Sequence, residues 1–594
     1  MPKLNLEFYK EDIEYDTSVT KQEEDDIIQY INKYKENEYK KIFETDIRVP
    51  VFVNLSDIRN NIINWYTFKS NSDVLEIGGN FGSITGELCK KCKSVTSIEF
   101  IKIRAEAICK RHEDKENLEV ICGKLEDISF DKKYDYITIF GIAEYADIVF
   151  GSLNKLIEYA KSLLNEGGII LIAIDNKFGV KYLAGATNGV NDMPYSNLTG
   201  NYSNGYRTYG KHELENIFKN NKFSNYKFYY PLPDYKLTNV IYSDDYLPDE
   251  NDSKVMYNIY YHENENILFS ELNLIKELIR NREFESFSNS FLIEVNSDNS
   301  NNNVFIGFNN IRKDEYRLIT KLTKEDAVKI VFNDKSINHL TNIARNISKL
   351  KELGFNTIEI FREDNIKSNF INSPTFDKQL IKILNKEGRN NFLSAIDSWY
   401  KYVKSKFIEI NKDNNIFEKF NIKVPEQLLN DMTIIKEGYI DLIFQNVFVD
   451  NEEYIIFDQE WYEENIPLEF ILYRSIYNLF FHNKSIEKVI TKVEVYEYYD
   501  ILKYIEVFES LERKWQINLS NNNIIKFYSS TYKRISSLKE MNLDFKKILL
   551  EKEEVIDEIA IKNKELEVEN KNLNDKLNFM LNSRTWKYTK IFRK

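Results

Sequence analysis

Residues 74–82 read Val-Leu-Glu-Ile-Gly-Gly-Asn-Phe-Gly and join an apolar run to a glycine-rich turn. Four more apolar runs follow, with helical patterns between them, at 95–100, 118–122, 136–140 and 169–174. Strands that alternate with helices are typical of a parallel, doubly wound sheet. The sequence therefore predicts an α/β Rossmann-like domain over residues 71–235, after a helical extension over 1–70.

The composition describes a large, acidic, folded chain. Its 594 residues carry a net charge of −13, with 42% hydrophobic and 29% charged residues. These values predict several globular domains and argue against nucleic acid as a partner. The four cysteines do not form a disulfide framework, so we expect packed, reduced thiols. The start lacks a signal-peptide core and no stretch approaches a membrane span, so we expect a cytoplasmic protein, at most peripheral to the inner face of the membrane.

Acidic residues flank the glycine-rich turn at the strand ends. Glu76 directly precedes the turn, where it would repel a pyrophosphate but tolerate an ammonium group. Glu99 closes the next strand and can accept hydrogen bonds from both hydroxyls of a ribose. These positions favour S-adenosylmethionine over NAD, with a decayed nucleotide fold as the alternative. The predicted cofactor-binding residues are Glu76, Gly78, Gly79, Asn80, Gly82, Glu99, Leu125 and Glu126.

This stretch resembles the class I S-adenosylmethionine-dependent methyltransferases. Their glycine motif runs acid-x-Gly-x-Gly-x-Gly, and Asn80 stands here in place of the middle glycine. Flanking segments narrow the resemblance to methyltransferases of bacterial surface-glycan assembly, at 55–65, 104–111, 141–146 and 175–185. The resemblance covers about residues 50–235 and implies a glycan, or its phosphate, as the acceptor.

Glu144 and Tyr145 follow the fourth strand, where an acceptor would lie. Methyl transfer mostly needs positioning, but a hydroxyl acceptor also needs a base, and Glu144 is the nearest candidate. A phosphate acceptor needs cations instead, which Lys177, Lys181 or Arg207 would supply. The alternative role of Glu144 and Tyr145 is helix capping and packing. A small-molecule or protein acceptor also stays open.

A second pattern follows a connector over residues 236–285. Residues 286–540 begin with four apolar runs that predict consecutive antiparallel strands, at 291–295, 304–308, 316–322 and 327–332, and continue with helical patterns. Asp441 and Asn446 stand five apart, and Asp458 follows in a hairpin pattern. An aspartate can orient a hydroxyl, while Asn446 and Asp458 can hold Mg²⁺ and Lys329 can contact the phosphates of ATP.

These segments resemble protein kinases and aminoglycoside- or choline-kinase-like phosphotransferases. The resemblance implies an α+β, two-lobed kinase-like domain with Asp441 as its catalytic residue. The expected glycine-rich loop is reduced to Gly307, and Tyr439 stands where a histidine usually precedes the catalytic aspartate. The alternatives are an active phosphotransferase that uses ATP and Mg²⁺ and a scaffold with vestigial catalysis that organises glycosyltransferases.

Residues 541–582 repeat apolar side chains at heptad spacing and predict a coiled coil, with a single amphipathic helix as the alternative. The last residues, 583–594, combine five positive charges with four large apolar or aromatic side chains. They predict contact with an anionic membrane surface or a partner protein. The whole layout resembles bifunctional kinase–methyltransferases that terminate polymannose O-antigen chains. That resemblance implies that the kinase phosphorylates the last sugar and that the methyltransferase then caps the phosphate. We expect a homo-oligomer, and in the scaffold alternative the kinase-like lobe and the coiled coil dock glycosyltransferases.

Overall fold

The computed structural model describes residues 1–13, 19–188, 190, 193–200, 202, 205–250, 267–296, 301–362, 365–371, 373–450, 453–531 and 559–578. Within these ranges, none of the helices combines the length and the apolar character needed to cross a membrane. The chain divides into two compact units. The first comprises Met1–Glu265 and Glu271–Tyr532, and the second comprises Asn266–Ser270 and Lys533–Lys594.

The first unit contains eighteen described strands. In chain order they are β1 Lys3–Asn5, β2 Asp73–Ile77, β3 Ser94–Glu99, β4 Leu118–Cys122, β5 Tyr134–Phe140, β6 Leu164–Asp175, β7 Tyr226–Leu232, β8 Val240–Ser243, β9 Ser290–Val295, β10 Phe305–Phe308, β11 Leu318–Leu322, β12 Asp326–Val331, β13 Phe361–Arg362, β14 Ile366–Asn369, β15 Ile434–Tyr439, β16 Val447–Asp450, β17 Glu453–Ile456 and β18 Tyr462–Pro467. The first fourteen form one sheet, in the order β1-β4-β3-β2-β5-β6-β9-β7-β8-β10-β11-β12-β14-β13.

The helices lie between and after these strands. They are α1 Lys21–Lys33, α2 Val49–Leu55, α3 Asn61–Asn64, α4 Thr85–Lys91, α5 Lys102–Arg111, α6 Ala146–Val149, α7 Leu153–Ser162, α8 Val180–Leu183, α9 Ser196–Thr199, α10 Lys211–Asn220, α11 Glu271–Arg280, α12 Phe284–Phe287, α13 Ile337–Glu352, α14 Phe376–Glu387, α15 Arg389–Lys404, α16 Ile416–Lys419, α17 Glu426–Asp431, α18 Leu468–His482, α19 Lys492–Tyr498, α20 Ile505–Leu519 and α21 Asn522–Thr531. A further helix, α22, spans 559–578.

The parallel part of the sheet, β1 to β6, is covered on both faces. Val74 packs in one cluster with Leu88 of α4 and Ile108 of α5. Its neighbour Leu75 packs in another cluster with Leu156 of α7. Successive side chains of a strand point to opposite faces, so the continuous apolar run serves two layers of helices. The predicted doubly wound, Rossmann-like sheet is confirmed.

Strand β9 corrects the predicted start of the second half. It pairs antiparallel with both β6 and β7, so it belongs to the first sheet region and not with residues 305–308. Its six residues are all buried, because it lies between two strands with both faces covered. Strand β1 is a second difference. The first residues were expected to be helical, but Lys3–Asn5 form a strand that pairs with β4.

The sheet continues without a break into the second half of the chain. Strand β8 pairs with β10, which leads to β11, β12, β14 and β13, all antiparallel. Helix α13 follows β12, and helices α14 to α21 follow the last strand of this sheet with two small antiparallel pairs, β15–β18 and β16–β17, among them. A strand layer followed by a helical layer agrees with the predicted α+β layout; its kinase-like character stays a prediction.

The N-terminal extension packs against the last helix of the first unit. Phe52 of α2 stacks on Phe527 of α21 with 3.8 Å between ring centroids, and both rings are fully buried. Ile27 and Ile31 of α1 join the same apolar cluster. The extension is therefore part of the core of this unit.

The second unit is described only in part. Every residue of α22 is exposed, including Leu566, Leu573 and Leu577. The remainder of the predicted coiled coil, 541–558 and 579–582, and the basic tail, 583–594, lie outside the described residues.

Candidate active site

The glycine-rich turn is built as the motif requires. It connects β2 to α4, and Gly78 has φ +82°, where a Cβ would lie 2.8 Å from Cβ of Ile142. Asn80 has φ 50°. Asparagine tolerates this left-handed conformation better than most residues, which explains how it can replace the middle glycine of the motif.

Both predicted acids lie at the carboxyl ends of their strands. The carboxylate of Glu76 accepts hydrogen bonds from the hydroxyls of Thr85 and Ser97, each at 2.7 Å, and burial raises its pKa. Glu99 accepts the N–H of Asn80 at 2.6 Å through Oε2 and the N–H of Ile101 at 3.1 Å through Oε1. Burial raises the pKa of Glu99 to about 7, although Arg104 acts in the opposite direction. The acid of β3 thus holds the turn that follows β2.

A single cavity joins these groups to the loop after β5. Its wall contains Val19, Val53, Asn54, Arg59, Glu76, Gly78, Gly79, Asn80, Ser83, Ile84, Glu99, Arg104, Phe140, Gly141, Ile142, Glu144, Tyr145, Asn188, Tyr206, Tyr235 and Lys236. Seven predicted residues are among them: Glu76, Gly78, Gly79, Asn80, Glu99, Glu144 and Tyr145.

Three predicted cofactor residues lie elsewhere. At Gly82 a Cβ would lie 3.0 Å from Nε2 of the buried His112, so this glycine serves the packing of α5. Leu125 is buried in the sheet core and Glu126 is exposed, and neither lines the cavity. Their assignment to the adenine end stays a prediction.

The carboxylate of Glu144 is held on one side only. Its Oε1 accepts the N–H of Asp175 at 2.9 Å and the hydroxyl of Tyr235 at 3.3 Å. Its Oε2 is buried and has no hydrogen-bond partner among the described residues. Burial, reinforced by the negative charge of Asp175, raises the pKa of Glu144 to about 7. A buried carboxylate with a free oxygen and a pKa near neutrality is suited to accept a proton.

Asp175, at the end of β6, contacts four polar or charged side chains, and it was not among the predicted site residues. Its carboxylate contacts Lys181 at 2.9 Å, Lys236 at 3.2 Å, and the hydroxyls of Tyr182 at 3.2 Å and Tyr206 at 3.3 Å. Burial alone would raise its pKa, but the two lysines outweigh it and hold the pKa low. The only sequence signal was its place at the strand end.

The cations proposed for a phosphate acceptor are not at the cavity wall. Lys181 is buried against Asp175, and Lys177 and Arg207 are absent from the lining. The lysine that does line the cavity, Lys236, was missed, as was Tyr235 beside it. Both lie in the loop between β7 and β8, a segment without strand or helix periodicity.

The N-terminal extension forms one wall of the cavity. Four residues of this extension line the cavity: Val19, Val53, Asn54 and Arg59. Glu24 of α1 accepts a hydrogen bond at 2.6 Å from Arg104, which also lines the cavity, and both side chains are buried. The extension therefore completes the candidate site as well as the core.

The predicted residues of the second half also come together. Nζ of Lys329 lies 2.7 Å from Asp458 and 2.6 Å from Glu460. The side-chain amide of Asn446 donates to the main-chain oxygens of Asp441 at 2.9 Å and of Asp458 at 3.3 Å. Burial raises the pKa of Asp441 to about 7, against the opposing charge of Arg474.

Two charged residues of this second cluster, Arg312 and Glu460, were not predicted. Arg312, in the loop between β10 and β11, pairs with Glu460, and its guanidinium stacks over the ring of Trp461. Within the described ranges, no group of three or more His, Cys, Asp or Glu side chains is arranged to hold a metal. The charged side chains of the cluster pair with one another, Arg312 with Glu460 and Lys329 with both Asp458 and Glu460.

Comparison with known proteins addresses the first half of the chain. Residues 75–172 match the family model described as "Methyltransferase domain". The chain carries a methyltransferase domain over these residues. The residues present fit S-adenosylmethionine, since the carboxylates of Glu76 and Glu99 line the cavity together with Asn80, whose buried Oδ1 has no hydrogen-bond partner among the described residues. A search of curated proteins finds no match.

Solved structures with similar folds are distant. Those found include the N-methyltransferase NodS of Bradyrhizobium japonicum in complex with S-adenosyl-L-homocysteine, at 16% identity over 24% of this chain and 74% of that chain, with a TM-score of 0.20. The YcgJ protein of Bacillus subtilis is 16% identical over 40% of this chain and 94% of its own, with a TM-score of 0.24. Phosphoethanolamine N-methyltransferase 1 of Haemonchus contortus is 13% identical over 47% and 50%, with a TM-score of 0.28. Likenesses this weak carry no argument about the acceptor.

Proposed function

We propose that the chain transfers the methyl group of S-adenosylmethionine to a cell-surface glycan or to a phosphate that the glycan carries. The observation behind this proposal is the shared cavity. Glu76, Gly78 and Glu99 line its donor side, and Glu144 and Tyr145 line its acceptor side. A donor and an acceptor held in one cavity can react without further assembly of the site.

The acceptor side is suited to a sugar. The rings of Tyr145 and Tyr206 lie 5.1 Å apart in an edge-to-face arrangement, and Tyr235 lines the same cavity. Tyrosine offers an apolar face to the C–H groups of a sugar ring and a hydroxyl to its oxygens. A small molecule or a protein side chain is the alternative acceptor.

Calorimetric titration with S-adenosylmethionine tests the donor half of the proposal. We expect binding to the intact chain and its loss in Gly78→Arg, because even a Cβ at this position would press against Ile142. Gly307→Ala is the control, since a Cβ there meets Phe305 only at ordinary contact distance. If the intact chain does not bind the donor, the proposal fails.

The acceptor half is tested on cells. We expect surface glycan from cells that make this chain to carry a methyl group that is missing in cells without it, and mass spectrometry measures the difference. Identical spectra would contradict a glycan acceptor while leaving donor binding as an independent result.

A second candidate function concerns the other half of the chain. We propose a phosphotransferase-like site in which Lys329 and Asp458 would meet ATP and Mg²⁺, because their side chains are in direct contact. The scaffold alternative is favoured by a different contact, the pairing of Arg312 with Glu460, which engages both charges within the protein. Thermal unfolding with Mg²⁺ and ATP separates the two.

A rise in melting temperature that needs Mg²⁺ and disappears in Asp458→Asn would support phosphotransfer. The control is Asp450→Asn, an exposed carboxylate at the end of β16. No shift in the intact chain would favour a scaffold that organises glycosyltransferases.

We further propose that the basic tail, 583–594, contacts an anionic membrane surface. Five positive charges near such a surface would attract it electrostatically, and salt screens that attraction. Binding of the chain to anionic vesicles should therefore weaken as salt is raised, and binding that does not respond to salt would contradict the proposal.

A further inference from the structure

The loop after β5 brings the carboxylate of Glu144 into the same cavity as the glycine-rich turn. Ile142 abuts Gly78 so closely that a Cβ on the glycine would lie 2.8 Å away. Glu144 follows two residues later in a single helical turn, Ala143–Tyr145, and lines the cavity that the glycine turn also lines. The carboxylate is thus carried by the segment that packs directly on the donor turn.

The two oxygens of this carboxylate are in different situations. Two donors, the N–H of Asp175 and the hydroxyl of Tyr235, hold Oε1 in place. Oε2 has no partner among the described residues although Glu144 is only 1% exposed. A buried polar atom without a partner is costly, so its persistence calls for a group that arrives with the acceptor.

We propose, resting on the methyltransferase function above, that the acceptor is a neutral hydroxyl group and that Oε2 of Glu144 removes its proton during methyl transfer. The acceptor oxygen forms a bond to the methyl carbon while the bond from that carbon to the sulfonium sulfur breaks, and its electron pair stays on sulfur. The hydroxyl proton passes to Glu144, which later releases it to water. The products are a methyl ether, S-adenosylhomocysteine and a proton.

A phosphate acceptor fits this cavity less well. It would bring negative charge to Glu144 and, behind it, to Asp175. The nearby cations are already engaged. Lys181 and Lys236 pair with Asp175, Arg104 pairs with Glu24, and Arg59 donates to the main-chain oxygen of Tyr235. Two like charges in a buried site repel strongly, whereas a neutral hydroxyl can donate to the free oxygen at no such cost.

Sinefungin provides a defined probe, because it carries an ammonium group where the donor carries its methyl group. Calorimetry of the full chain with sinefungin and with S-adenosylhomocysteine gives the ratio of their affinities. We expect sinefungin to be preferred, and Glu144→Gln to lower that preference about tenfold or more, as expected for loss of a hydrogen bond between charged partners. The affinity for S-adenosylhomocysteine should stay the same, which also shows that the variant is folded.

The pH dependence gives a second reading of the same group. The preference for sinefungin should rise with pH through about 7 as Glu144 ionises, and it should be flat in Glu144→Gln. The charged or titratable groups that face Glu144 are Asp175, Lys236, Tyr235, Tyr182 and Tyr206. The three tyrosines have pKa values raised well above their usual range and the pKa of Asp175 is held low, so these groups do not titrate near 7.

Asp147→Asn is the matched control, since it removes an exposed carboxylate three residues along the chain. An equal preference in the intact chain and in Glu144→Gln would overturn the proposal and favour a phosphate acceptor, which has no proton to lose. If neither ligand binds the intact chain, the methyltransferase proposal itself fails. The two failures are therefore distinguishable.

Discussion

The carboxylate of Glu99 has both a structural role and a predicted binding role. It accepts main-chain hydrogen bonds that shape the glycine turn, from Asn80 and Ile101, and it lines the cavity where a ribose would lie. The negative charge matters to both, because hydrogen bonds to a carboxylate are about twice as strong as neutral ones. A single charge removal at this position therefore tests the donor site directly.

Glu99→Gln should weaken S-adenosylmethionine binding by about 10- to 100-fold, from the loss of about 1.5–3 kcal/mol of charge-assisted hydrogen bonding. Calorimetric titration measures the change. Glu106→Gln, on the exposed side of α5, is the control and should bind as the unchanged chain does. Equal affinities for the two variants would remove Glu99 from the ribose site.

Residues with a fixed motif spacing were predictable from sequence, and residues brought together by the fold were not. Glu76, Gly78 and Glu99 were found because a strand, a turn and a strand end follow one another in the chain. Asp175, Tyr235 and Lys236 come from the end of β6 and from a loop between two later strands. Their meeting depends on tertiary packing, which no local pattern encodes.

At the scale of elements, helix α1 contributes the ion-pair partner of Arg104, a residue of α5 that lines the cavity. Its buried Glu24 pairs with Arg104 of α5, whose guanidinium also lies 5.2 Å from the ring centre of Phe81. Removal of one partner leaves the other charge buried and unpaired, which costs more than the pair itself contributes. The helix should therefore be coupled to donor binding.

Glu24→Gln should lower the free energy of unfolding by about 3 kcal/mol or more and reduce donor affinity at the same time. Chemical denaturation and calorimetry measure the two effects. Asp25→Asn makes the same charge change on the exposed side of α1 and should change neither. Loss of stability with unaltered affinity would mean that α1 supports the core without shaping the cavity.

Element order was predicted better than element partnership. The run at 291–295 was correctly expected to form a strand, but that strand, β9, pairs with β6 and β7. A continuous apolar run indicates only that both faces of the strand are buried. It does not predict which strands lie on either side. For the same reason the continuation of the sheet from β8 to β10 was not foreseen.

At the scale of the first unit, sequence-distant halves share one structure. The sheet crosses from β8 to β10, and Arg317 of the second half pairs with Asp57 of the extension at 2.7 Å. Tyr528 of α21 donates to Oδ1 of Asn239 at 2.9 Å, and Asn239 ends the loop between β7 and β8 that carries Tyr235 and Lys236 to the cavity. Damage to α21 should therefore reach the donor site.

Phe527→Ala should lower stability by about 3–5 kcal/mol, because it removes a buried ring that stacks on Phe52. It should also weaken donor binding, since Val53 and Asn54, which follow Phe52 in α2, line the cavity. Thermal unfolding and calorimetry test both effects. Ile525→Ala, at a partly exposed position of α21, is the control. An unchanged melting temperature for Phe527→Ala would contradict the shared core.

The heptad pattern of α22, in the second unit, predicts self-association. In α22 the exposed Leu566 and Leu573 occupy one heptad position, and Asn563 and Asn570 occupy the other. Most of the stability of a helix in a protein comes from packing of its apolar face, and asparagine in a heptad seam selects paired, two-stranded coiled coils. Light scattering should therefore give the mass of a dimer, and Leu566→Asp with Leu573→Asp should reduce it to a monomer. Val568→Asp, an exposed position outside the seam, should remain dimeric, and equal masses for all three chains would exclude pairing through this helix.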